Sequence, residues 1–285
     1  MTVDANGVRE LWVGRLREFL PGWFAEHEVL SRLSDGAAVV LYGSTARGLD
    51  DAWSDLDLGL LLSDSEFQAL AGSCDTTFFG FGVEGKEGHI MAVPVRQWRD
   101  EVAHCHMDRI YHLQRAAIVS DVEGRAAELL DYARAPMREE VRRAMFLYHY
   151  VEMRSDHRAC DNPMERREPP ALLFSLPKVL GHGLRAAMIL DGEPYPYDKW
   201  LYQAAQATPS GRALTPHVDR VIELLGGDAL RFDGPASDNP IDHEVHAIRN
   251  ALMEAARAAG IDEPWLDTWW LSMDAARVAH EEVRW

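Results

Sequence analysis

The sequence predicts an α+β fold: a small mixed sheet with helices over residues 1–125, then an all-α helical bundle over residues 126–285. Three observations predict it. Apolar runs at Val39–Tyr42 and Leu56–Leu62 read as strands and enclose a Gly-Ser turn and an Asp-x-Asp pair. Two further runs, Thr76–Val83 and Glu87–Val93, read as a hairpin. From Glu123 onward strand-like runs give way to helical periodicity broken by Pro- and Gly-rich loops.

Taken in order, Val8 to Leu33 carries Leu11, Val13, Leu16, Leu20, Phe24 and Leu30 at amphipathic helix spacing, and Pro21-Gly22 should break or kink it. Ala37–Tyr42 is the first strand and a short helix follows Gly43-Ser44. Asp55–Leu62 is the second strand. Ser63-Asp64-Ser65-Glu66 has the form of a capping box and starts a helix through Leu70. After the hairpin, Val95–Cys105 and Arg109–Arg115 read as helices, and Ala117-Ile118-Val119 as one more strand. The second half should hold a long helix over Met137–Arg158, a charged loop over Asp161–Pro170, and a helix over Ala171–Leu190 kinked at Pro177. Helices over Tyr197–Ala207, Val218–Leu225, His243–Ala259 and Glu263–Val283 complete the bundle, with a ligand cleft expected between the two domains.

The chain has 285 residues and a formal net charge of −17, from 46 acidic and 29 basic side chains. Such a field repels polyanions, so nucleic acid is not an expected partner, and it favours a cationic one. Three widely spaced cysteines, Cys74, Cys105 and Cys160, are not a disulfide framework and suggest a reducing compartment. No apolar run approaches the ~18 residues needed to cross a bilayer, and no leader pattern opens the chain. A cytoplasmic protein without membrane partners is expected.

Chemistry concentrates in Tyr42-Gly43-Ser44-Thr45-Ala46-Arg47-Gly48 and Ser54-Asp55-Leu56-Asp57. Side chains alternate along a strand, so Asp55 and Asp57 share one face. Two adjacent carboxylates at the end of a buried strand repel unless a proton or a cation separates them. Gly-Ser at a strand end offers a tight turn and exposed N–H groups that suit a phosphate. Together they point to a divalent cation and a nucleoside triphosphate.

The order and spacing of Gly43, Ser44, Asp55 and Asp57, extended through Arg47 and Gly48, resembles the nucleotidyltransferase superfamily with its polymerase-β-like fold. The second half resembles the small-molecule branch, which modifies aminoglycosides and lincosamides. The resemblance implies transfer of a nucleoside monophosphate, AMP from ATP, to a hydroxyl of a small molecule. An aminoglycoside-like antibiotic is the acceptor class it suggests. It implies Mg²⁺ held by Asp55 and Asp57, with Gly43 and Ser44 on the phosphates and Arg47 bracing the turn or touching phosphate. A lysine from the helical domain often faces the triphosphate in such proteins, and Lys199, beside Trp200 after a Pro-Tyr turn, resembles it.

The superfamily usually adds a third acid from a later strand. Counting back from Trp98, that position is His89, so the chain departs from the pattern. His89 would ligate a metal or take a proton, Glu87 would serve from two residues away, or Glu152 or Asp156 would supply the base from the second domain. Two other readings stay open: an antitoxin-like enzyme that adenylylates a protein, and a degenerate, non-catalytic nucleotide-binding module.

Other motifs are weaker. Gly80-Phe81-Gly82-Val83-Glu84-Gly85 matches a dinucleotide-binding glycine pattern but lies between two strands rather than between a strand and a helix. His104, Asp108 and His112 share a helical face, as partly exposed polar residues commonly do. His243-Glu244-Val245-His246 is one residue short of the zinc-protease spacing. Arg143 and His149 do not share a helical face. Trp265, Trp269, Trp270 and Trp285 cluster near the C-terminus without a single implied role.

Overall fold

In the computed structural model the described residues are 5–285 other than 50, 52 and 232. Residues 1–4 of the first expected domain therefore lie outside the described residues. The chain divides into two compact units, residues 1–135 and 136–285.

The first unit is a five-stranded mixed sheet with helices on both faces. Its strands are β1 (Ala38–Tyr42), β2 (Leu56–Leu62), β3 (Phe78–Val83), β4 (Lys86–Pro94) and β5 (Ala117–Ser120), in spatial order β3-β4-β2-β1-β5. β2 runs parallel to β4 and antiparallel to β1, while β3–β4 and β1–β5 are antiparallel. The helices are α1 (Ala5–Glu26), α2 (Gly43–Ala46), α3 (Asp64–Ala71), α4 (Val95–Ala103), α5 (Met107–Gln114) and α6 (Arg125–Ala133).

Every residue of β2 except Asp57 is buried. Leu56, Leu58, Leu60 and Leu62 join Val39, Leu41, Ile90 and Ala92 under Leu16, Leu20, Trp23 and Phe24 of α1. Each such side chain contributes about 1.5–3 kcal/mol of burial. That packing explains why α1 continues past Pro21 to Glu26. The loss of about 3 kcal/mol expected from an interior proline is outweighed by the helix's apolar face. The side chain of Arg17 adds a tether, donating to the carbonyls of Val119 (2.8 Å) and Ile118 (3.1 Å) on β5. The expected continuation to Leu33 is instead a 3₁₀ segment, Leu30–Gly36.

On the opposite face Gly59 leaves room for Trp98 of α4: a Cβ there would lie 2.3 Å from the indole ring. The capping box forms, with Glu66 N–H on Ser63 Oγ (3.3 Å) and Ser63 N–H on Glu66 Oε2 (2.6 Å). Partial burial pulls the Glu66 carboxyl upward, but hydrogen bonds from Arg125 and Ser63 outweigh it and bring it down to about 2. At the hairpin tip Glu84 and Gly85 both have positive φ, 51° and 80°, as a two-residue turn demands. The Gly80–Gly85 pattern is therefore hairpin chemistry.

The second unit is helical: α7 (Glu139–Glu165), α8 (Pro169–Leu190), α9 (Asp198–Gln206), α10 (Pro209–Leu225), α11 (Pro240–Ala258) and α12 (Met273–Glu282). α8 packs against α7, α9, α10 and α11, and α12 packs on α7. α7 does not stop near Arg158, because buried Cys160 and Met164 continue the apolar stripe of Val141, Met145 and Met153. The expected charged loop shrinks accordingly. α10 likewise starts at Pro209, capped by Thr208 Oγ1, which accepts from Gly211 N–H. The Glu263–Val283 segment holds two 3₁₀ turns before α12 rather than one helix. The first compact unit extends to residue 135, with α6 packed on β1, α4 and α5. Among the described residues no helix is long and apolar enough to cross a membrane. The three cysteines are free thiols.

Candidate active site

The site forms where β1 ends and β2 and β4 run side by side. Tyr42 pairs with Asp57 across β1–β2, and Asp57 pairs with His89 across β2–β4. Asp55 lies one residue before β2 and keeps the same parity as Asp57. Asp55, Asp57 and His89 each offer a ligand atom, all within 4.8 Å of one another, and all three are partly exposed.

The turn after β1 is shaped around these acids. Gly43 has φ +77°, and a Cβ at this position would lie 2.4 Å from Asp57 Oδ2. Glycine is thus required both for the backbone conformation and for the close approach of a carboxylate. The sequence predicts a tight turn and a phosphate role for Gly43; its packing against Asp57 is an additional constraint. Ser44 is buried and its carbonyl accepts from the N–H groups of Arg47 (3.1 Å) and Leu49 (3.0 Å). Thr45 Oγ1 donates to the Asp55 carbonyl at 3.1 Å, tying α2 to the start of the acidic strand. Arg47 stacks over Tyr111, with Cζ 4.3 Å from the ring centroid.

His89 Nδ1 lies 3.2 Å from Asp55 Oδ2, and its Nε2 lies 3.5 Å from Glu87 Oε1. Its ring is stacked on Phe78 at 5.0 Å and 20°. Glu87 stands at the rim with its side chain largely exposed. Thr45 and Phe78 were not singled out from sequence. The cross-strand pairing Gly80–His89 and Phe78–Met91 was the available signal for Phe78.

Behind the turn, His112 is buried beside Tyr42 and Tyr111. Burial, with Arg47 and Arg109 nearby, lowers its pKa to about 4, so it is neutral at pH 7. It does not join His104, whose Nδ1 turns back to the Asp100 carbonyl at 2.7 Å.

Glu152 and Lys199 belong to the second unit. Glu152 accepts from Arg277 Nε at 3.1 Å. Burial raises the pKa of Asp156, one helical turn on, against the pull of Lys178. Lys199 Nζ lies 5.1 Å from the Trp200 ring. Arg143 pairs with Glu263, while His149 lies between His182 Nδ1 (2.9 Å) and Tyr195 Oη (2.7 Å), so these two go separate ways.

The first unit thus presents a Gly-Ser turn beside two carboxylates, Asp57 on the central strand β2 and Asp55 just before it. Residues 26–119 match the family described as nucleotidyltransferase domain, which spans β1 to most of β5 and includes every residue of the cluster. The chain carries a region similar to a nucleotidyltransferase domain over residues 26–119. It is also similar to the crystal structure of a nucleotidyltransferase-like protein from Exiguobacterium sibiricum 255-15. Identity is 12%, over 93% of this chain and 78% of that one, with a TM-score of 0.48. No curated protein matches the chain.

Proposed function

We propose that the chain transfers a nucleoside monophosphate, AMP from ATP, to a hydroxyl of a small cationic molecule and releases pyrophosphate. The observation that carries this reading is the convergence of Asp55, Asp57 and His89 beside a turn whose left-handed backbone favours glycine. The donor set suits a divalent cation: two carboxylates for Mg²⁺, with an imidazole that also admits Mn²⁺. Asp55 and Asp57 would hold it. Such a cation, when bound, neutralises triphosphate charge and orients the transferred phosphoryl group.

The chain's own groups account for the rest. Gly43 and Ser44 would receive the β- and γ-phosphates. With Nδ1–H donated to Asp55, His89 presents Nε2 as a proton acceptor. The acceptor hydroxyl would give its proton to that nitrogen, or to Glu87 or Glu152. Its oxygen would form the new bond to the α-phosphorus as the bond to pyrophosphate breaks. Lys199 would meet charge developing on pyrophosphate. The second unit would select the acceptor, and the net charge of −17 favours cationic molecules of the aminoglycoside kind over nucleic acid.

The test is pyrophosphate release from ATP with Mg²⁺ across an acceptor panel starting with aminoglycosides. Release with a cationic acceptor that vanishes in Asp55→Ala supports the reading; full activity in that variant contradicts the metal assignment. His89 in place of a third acid favours a second reading, a non-catalytic nucleotide-binding module. That reading expects nucleotide binding without turnover against any acceptor. A labelled protein band from ATP and lysate would instead point to a protein acceptor.

A further inference from the structure

The helical unit contains a second group of metal-ligand side chains that takes no part in the proposed transfer. His157 on α7 and Asp242 on α11 are almost fully buried, at 6% and 4% exposure, and His246 is half-buried one turn after Asp242. The i, i+4 spacing puts Asp242 and His246 on one face of α11, turned toward α7. His157 Nε2 lies 2.6 Å from Asp242 Oδ1, and His246 Nε2 lies 3.4 Å from Asp242 Oδ2. The two imidazole rings are 4.9 Å apart at 76°. One ligand atom from each residue lies within 4.8 Å of the others.

We propose that His157, Asp242 and His246 form a binding site for a divalent transition metal of the zinc class. A tetrahedral zinc with bonds near 2.0–2.1 Å sets its ligand atoms about 3.4 Å apart, so small side-chain rotations close the group on an ion. Two imidazoles and one carboxylate select zinc, cobalt or nickel over magnesium and calcium, which take oxygen. Three protein ligands leave a fourth position open, the pattern of zinc sites that bind water or an exchangeable ligand. The same residues line a cavity of about 610 Å³, shared with Arg154, Trp269 and Trp270. Arg154 lies 5.7 Å over the Trp269 ring, so the cavity pairs a cation and an aromatic wall with the open position. An anionic oxygen donor is the ligand class these groups suit.

The metal alone is the probe. Asp57→Asn full-length protein, with the strand cluster impaired, is titrated with Co²⁺ while visible d–d absorption and heat are followed. One bound equivalent, displaced by Zn²⁺ and weakened at least about tenfold in an Asp57→Asn/His246→Gln variant, is expected. His246 is half-exposed, so Gln is tolerable there, and circular dichroism checks the helices. If that variant loses its helix signal, X-ray absorption at the zinc edge decides on the Asp57→Asn protein. Two imidazole ligands support the site; one or none overturns it. No Co²⁺ binding by Asp57→Asn protein, or unchanged affinity after His246→Gln, means a hydrogen-bonded His-Asp-His group and overturns the proposal.

Discussion

The two units each gather histidine and aspartate at one point, and they do so by different means. In the first, Asp55, Asp57 and His89 sit at the matching ends of two paired strands, half open to solvent. In the second, His157 and Asp242, 85 residues apart in the sequence, come from two helices and are buried. The strand cluster is organised by backbone: register and period 2 place the three side chains, and Gly43 makes room for one of them. The helix cluster is organised by packing, since nothing but the α7–α11 arrangement brings His157 to Asp242. A backbone-built site tolerates loss of a side chain without loss of fold. A packing-built one ties ligand positions to core integrity.

The sharpest way to break this contrast is Asp57→Asn. It should lower turnover by about 10³-fold while leaving the melting temperature nearly unchanged, as read by pyrophosphate release and a thermal scan. A large stability loss would show that the strand cluster depends on its side chains as the helix cluster does. Gly43→Ala probes the backbone half of the claim. A Cβ crowding Asp57 Oδ2 at φ +77° should cost about 1–2 kcal/mol of stability and most of the activity, seen in denaturant melts and rate together.

Gly59→Ala acts two residues along the same strand but against Trp98, so it separates fold from site. It should destabilise the first unit by about 1–3 kcal/mol, with nucleotide affinity preserved in the folded fraction. The pH response of His112 touches only the packing behind the turn. Its folded pKa near 4 lies below the ordinary 6.5, so its contribution is complete above pH 6.5 and is lost as pH falls toward 4. His112→Gln should flatten that part of the stability profile in denaturant melts at pH 7 and pH 5.

The legibility of the chain follows the same division. The Gly-Ser turn, the Asp-x-Asp strand, the hairpin and the Ser63–Glu66 cap are set by neighbours within a few residues, and these stand where the sequence predicts them. Helix ends were less legible, because tertiary burial overrides local signals. Leu20 and Phe24 carry α1 through Pro21, and Cys160 and Met164 carry α7 beyond its charged stretch. The sequence groups His246 with His243, its neighbour, but its partners are Asp242 and a histidine on another helix. No local spacing contains His157, so that group could emerge only from the packed structure. Glu87 and His89 were legible as neighbours on one strand face, yet only the parallel β2–β4 register shows that His89 stands opposite Asp57.

On the proposed function, Asp55 and Asp57 hold a cation-bound triphosphate. Calorimetric titration of a slowly hydrolysed ATP analogue, with and without Mg²⁺, on wild type and Asp57→Asn tests it directly. Metal-dependent binding by the wild type that disappears in Asp57→Asn is the predicted result. Binding that ignores Mg²⁺, or that survives Asp57→Asn unchanged, would contradict it.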